Sequence, residues 1–161
     1  MLRVEVQAKS SGAPPAARVR GLLARAARAA NTPSSRNARG PLHEVSVLFC
    51  ADRRMRALNR RYRGKDRPTD VLAFPAGSTG ADFLGDIVIS IPYAAREARK
   101  RREPQAREID RLLVHGLLHL MGYDHETDDG EMDALEARVR RRLGLADPPA
   151  PSSPEGRKRR R

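Results

Sequence analysis

"PQAREIDRLLVHGLLHLMGYDH", residues 104–125, is the stretch on which the fold turns. Pro104 suits the start of a helix, where its missing N–H is no loss. Ile109, Leu112, Leu113, Gly116, Leu117 and Leu120 follow at helical spacing, so a helix over 104–121 carries a broad apolar face and should be well buried. Gly122 can take positive φ and turn the chain sharply out of that helix.

The segments around it supply a sheet. "LRVEVQ" (2–7) alternates apolar and polar residues as a half-buried strand does, and "HEVSVLFC" (43–50) is a second strand whose apolar end suggests a central position. Val71–Phe74 within "RPTDVLAFP" and residues 83–90, "FLGDIVIS", complete about four strands. Helical spacing recurs over 16–30 (Val19, Leu22, Leu23, Ala26, Ala30) and over 52–62, where Ala51, Met55, Leu58 and Tyr62 form the predicted buried stripe. A further helix runs from Pro92 to about Arg102. A last one follows Asp128, which with Glu131 resembles a capping box, and Gly144 suits its C-terminal cap. Residues 31–41 and "AGSTGAD" (76–82) read as loops. The fold class is α+β: a small mixed sheet of about four strands packed with about five helices, in one domain over 1–146. Residues 147–161, Pro/Ser-rich with a basic end, form a tail expected to be disordered.

Of 161 residues, 39% are apolar and 32% charged, with 32 Lys and Arg against 20 Asp and Glu, for a net charge of +12. The tail holds five cations against Asp147 and Glu155, so the folded part keeps about +9. Arginine makes up 28 of the 32 cations. Its planar guanidinium grips phosphate oxygens, so nucleic acid is the indicated partner. The single cysteine, Cys50, rules out a disulfide framework within the chain and fits a reducing, cytoplasmic setting. No apolar run approaches the length of about 18 residues that a membrane helix needs, and residues 1–12, MLRVEVQAKSSG, lack the apolar core expected of a signal peptide.

Three of the four histidines fall in the last eleven residues of the opening stretch. Four helical residues advance about 400°, so His115 and His119 project from one face, a turn apart. Past Gly122, Tyr123 and Asp124 bring His125 back toward the same point. Three neutral imidazoles suit Zn²⁺ and leave a fourth tetrahedral position open, as catalytic sites do. The spacing is that of zinc proteases, which carry a catalytic glutamate beside the first histidine. Here that residue is Gly116, which can accept no proton, so peptide hydrolysis is disfavoured and phosphodiester cleavage fits better.

Between residues 53 and 67 stand eight cations, among them Arg60, Arg61, Arg63 and Lys65, with Asp66 as the sole acid. Such a cluster suits a polyanion. Aromatic residues are few, so backbone contact rather than base stacking is the expected mode.

"HGLLHLMGYDH", with "LNRRYRGKDRPTDVLAFP" (58–75) and "LGDIVIS" (84–90) in the same order, resembles the YbeY family of bacterial endoribonucleases over roughly residues 43–144. The resemblance implies a single-strand-specific metallo-endoribonuclease that processes the 3′ end of small-subunit (16S) ribosomal RNA and takes part in quality control of 70S ribosomes. It places the zinc ligands on His115, His119 and His125 and a functional arginine on Arg63. On this basis Arg63 and His115 are the expected catalytic residues, and Arg60, Arg61 and Lys65 would draw in the RNA. The small ribosomal subunit is the implied partner, with no DNA and no membrane. Two readings remain open beside it: an RNA-binding ribosome-assembly factor that never cleaves, and a small zinc peptidase.

Overall fold

The computed structural model describes residues 2–30, 43–77, 82–124 and 126–146. In chain order they form β1 (Leu2–Ala8), α1 (Ala16–Ala30), β2 (His43–Cys50), α2 (Asp52–Arg63), β3 (Val71–Pro75), β4 (Phe83–Ser90), α3 (Ile91–Arg101), α4 (Gln105–Leu120) and α5 (Glu131–Arg142). The mixed α+β architecture is as the sequence predicts. The expected loop over 31–41, part of the 76–82 loop, His125 and the expected tail lie outside the described residues.

The sheet order is β1-β2-β4-β3. β1, β2 and β4 run parallel, and β3 pairs antiparallel with β4 at one edge. Side chains alternate across a strand, and the two faces are covered by different helices. Val45, Val47, Phe49, Ile87 and Ile89 join α1, α4 and α5 in the main core, all five with no exposed surface. On the other face Cys50, Leu72 and Val88 form a smaller core with Met55 of α2. Burial pushes the Cys50 thiol up from its ordinary value.

Gly85 lets the edge strand close. It has φ of +137°, and a Cβ there would stand 2.1 Å from the carbonyl oxygen of Phe74. No side chain fits that approach, so β3 and β4 meet at this point only through glycine.

α4 lies under the sheet with Leu113, Val114 and Leu117 fully buried. Gly116 marks its closest approach: a Cβ there would meet Ile87 Cγ2 at 2.9 Å and Cγ1 at 3.2 Å. The missing protease glutamate therefore has a packing cause as well as a chemical consequence. Where that enzyme class puts a carboxylate, this chain puts the wall of the sheet.

Two details differ from the sequence reading. In α2 the buried residues are Met55 and Asn59, while Ala51 is exposed and Tyr62 is 57% exposed. In its last turn Tyr62 packs edge-on against Phe74, with ring centroids 5.1 Å apart, and stays mostly in solvent. At α5 the N-cap is Gly130, with φ of +88°, and not Asp128. The Asp128 carboxylate still accepts from the first turn, taking the Met132 N–H at 3.0 Å from two residues farther out. The C-cap is Leu143, and Gly144, expected to cap the helix, follows it with φ of +72°.

Candidate active site

A cleft of about 510 Å³ opens between the β3 edge and one face of α4. Each wall follows from a simple periodicity. On α4, Glu108, Leu112, His115 and His119 recur at i, i+4, i+7 and i+11, which is one helical face. On β3, Val71, Ala73 and Pro75 are alternate residues and share the face turned toward α4, while Leu72 and Phe74 point toward α2. Arg63 enters from the end of α2, Asp70 from the turn before β3, and Arg140 from α5.

That turn is held firmly. Arg56 grips Asp66 with two parallel bonds, Nε to Oδ1 at 2.9 Å and Nη2 to Oδ2 at 2.8 Å. Asn59 Nδ2 donates to the Arg67 carbonyl at 2.8 Å. The Arg56 bonds hold the Asp66 carboxyl below its ordinary range. Arg56, counted in the sequence among cations facing a polyanion, is thus committed within the chain.

The two histidines face one another. His115 Nε2 and His119 Nε2 stand 3.1 Å apart, with ring planes at 74°. Two ligands on one tetrahedral ion with bonds of about 2.0–2.1 Å stand roughly this far apart, so the pair suits a shared cation. His115 Nδ1 lies 3.0 Å from Glu136 Oε2. A proton on Nδ1, donated to that carboxylate, leaves the Nε2 lone pair directed at His119, which is how histidine ligands are oriented in metal sites. Burial pushes the Glu136 carboxyl up, but the bonds and charges of His115 and Arg140 outweigh it and leave it below the usual range. Arg140 Nη2 stands 2.5 Å from Glu136 Oε1. The donor set present therefore fits zinc. Among the described residues no third protein ligand joins the pair. The position that the sequence gives that role, His125, lies outside them.

The structure thus brings Arg63, His115 and His119 to one cleft. Arg60 and Arg61 are exposed on a different side of α2, beside a shallow depression shared with Arg53 and Asp66. The Arg61 guanidinium lies 5.3 Å from the centre of the Tyr62 ring. Lys65 is exposed on the turn and lines neither hollow.

Sequence reading missed Glu136, Glu108 and Arg140. The signal for Glu136 was available: Met132, Leu135 and Val139 form the apolar stripe of α5, and Glu136 sits within it, buried. An acid in an apolar stripe needs a partner, and His115 is that partner. Glu108 carries the same signature on α4, where it is 3% exposed. Burial pushes its carboxyl up, the charges of Arg101 and Arg111 pull it back in part, and Asp70 adds to the rise.

The sequence profile of the family described as Endoribonuclease YbeY matches residues 7–144. A relative of that name from an Anaeromyxobacter species is 52% identical over 106 residues, covering 63% of this chain and 55% of its own length. Another, from Allorhizobium ampelinum, is 44% identical over 118 residues, covering 69% of this chain and 71% of its own. The chain therefore spans between about half and seven-tenths of these two relatives. The solution structure of TM1509 from Thermotoga maritima shares the fold, with a TM-score of 0.53 and 24% identity over 89% of this chain and 92% of that one.

Proposed function

Because the chain belongs to the Endoribonuclease YbeY family, we propose that it cleaves single-stranded RNA in this cleft. We further assign it to maturation of the 3′ end of 16S ribosomal RNA and to quality control of 70S ribosomes, with the small ribosomal subunit as its setting. The observation that carries the reading is one of geometry. Arg63 and two facing imidazoles, one of them braced by a buried carboxylate, line one cleft in a strongly basic protein.

His115 and His119, with His125, would hold zinc. Bound there, zinc would supply Lewis-acid polarisation of a phosphoryl oxygen. The chain's own groups do the rest. Glu136 accepts the His115 Nδ1 proton and fixes the ring so that Nε2 faces the cleft. Arg63 donates to the non-bridging oxygens of the scissile phosphate and offsets charge as it develops. Arg60, Arg61 and Lys65, outside the cleft, attract the flanking backbone and bring strands to its mouth. Gly116 stands where zinc proteases carry the catalytic glutamate that follows the first histidine, which disfavours peptide hydrolysis.

A defined single-stranded RNA incubated with zinc-loaded protein tests the reading. Cleavage is expected, with product ends mapped on a gel. Tight, salt-sensitive binding without cleavage would make the protein an RNA-binding assembly factor instead.

A further inference from the structure

The roles assigned above leave Tyr62 unused. Among the described residues it is the large hydrophobic side chain left exposed, at 57%. That exposure is what remains after two contacts are made. The Phe74 ring meets it with centroids 5.1 Å apart, and the Arg61 guanidinium lies 5.3 Å from its centre. A single exposed ring is ordinary on a protein surface. This one is backed by a second aromatic side chain and precedes Arg63 by one residue.

Its placement says what could meet it. Arg63 lines the cleft, while Arg61 lines the shallow hollow on a different side of α2. Tyr62 stands between them in the chain and packs on the edge strand β3, where Ala73 and Pro75, on either side of Phe74, line the cleft. A polyanion that runs from Arg63 to Arg61 therefore crosses the β3 edge at this ring. Its phosphates go to the guanidiniums on either side, so what it brings to the ring must be flat and apolar-faced. An unpaired base is such a group. In a duplex each base is held by its partner and its neighbours, whereas in a single strand it turns out freely and stacks on an aromatic side chain.

We infer that Tyr62 is a stacking platform for an unpaired base of the nucleotide next to the phosphate that Arg63 holds. The inference rests on the reading of the cleft as an RNA site. Every base has a π-face, so the contact positions the strand and selects unpaired RNA without reading its sequence. Arg61, against the same ring, keeps a cation beside the stacked base and the phosphate that follows it. The scarcity of aromatic residues points to backbone contact along the strand, and one ring at the mouth of the cleft adds a single base contact to it.

The test is binding of two nonamers with the same phosphates, one of adenosine and uridine and one of stable abasic ribose units, with the strands checked intact afterwards. Tyr62→Leu keeps an apolar cover on Phe74 but offers no ring. It should weaken binding of the base-bearing strand by about tenfold and of the abasic strand by less than about twofold. Tyr62→Phe should bind both strands as the unmutated protein does, and melting curves check the fold of each variant. A strand carrying photoreactive 5-iodouridine should crosslink to Tyr62 of the full-length protein, a result that needs no variant and is read by mass spectrometry. Equal losses on the two strands, a loss below about twofold on both, or crosslinks only to other residues overturn the inference and leave RNA binding standing. A protein that does not bind the base-bearing strand overturns both.

Discussion

Glu136 and Arg63 divide the work of the cleft, and substitution should separate them. Glu136 touches His115 and no open part of the cleft mouth, so Glu136→Gln should weaken zinc by about 10- to 100-fold. Titration against a chromogenic chelator reads this, and unchanged affinity would remove the carboxylate from the metal's support. Arg63→Ala should leave zinc content intact while lowering turnover by about 100-fold or more. Equal metal loss in both variants would sink the division. The histidine pair was legible at this scale because i, i+4 spacing fixes a shared face whatever the tertiary context. The supporting residues were not, because nothing local joins Glu136 to a histidine 21 positions earlier. Only its place in an apolar stripe marked it.

At the scale of elements, α4 and β4 must touch without a side chain between them. Gly116→Ala should cost about 1–3 kcal/mol, since Ile87 is fully buried and cannot swing away. Combining it with Ile87→Ala should cost less than the two effects added, and full additivity in denaturant melts would argue against the clash. A second junction lies where α2, β4 and α3 meet. Asp52 accepts from Ser90 Oγ at 2.6 Å and pairs with Arg96 at 2.8 Å. Burial raises its carboxyl, but these bonds win and hold it below its usual value. The stability it adds is then present above the unfolded carboxyl's value near 3.8 and is lost as pH falls through the lower folded one. Partial exposure trims it, so Asp52→Asn should cost about 1 kcal/mol at neutral pH, with the difference vanishing in strong acid. A difference that persists there would assign the loss to packing. β1, α1 and α4 follow from simple apolar periodicity, whereas α3 and α5 were marked by end signals at Pro92, Asp128 and Gly144. In α2 apolar spacing misleads at Tyr62, because spacing predicts a face and cannot say how far neighbouring elements cover it.

At the scale of the molecule, the mixed sheet was readable as a class, but its order was not. That β2 pairs with β1 and β4, leaving β3 at the edge, is a fact of long-range pairing that alternation within a strand does not encode. The order matters because an edge β3 is what opens the cleft along α4. The net charge of +12 was legible from composition, while its partition into a cleft with Arg63 and a separate face with Arg60 and Arg61 needed the fold. Single-stranded RNA binding should weaken steeply with salt, its logarithmic slope falling by about 0.7 for each phosphate contact removed. Arg60→Ala and Arg61→Ala should each reduce that slope, and a slope unchanged in the double variant would take that face out of the RNA path.

The most direct measurement is cleavage of a defined single-stranded RNA by protein of verified zinc content, beside His119→Ala and an all-DNA strand of the same sequence. The account predicts cut RNA, intact DNA, and loss of both metal and cleavage in the variant. Undiminished cleavage by a metal-free His119→Ala protein would contradict it.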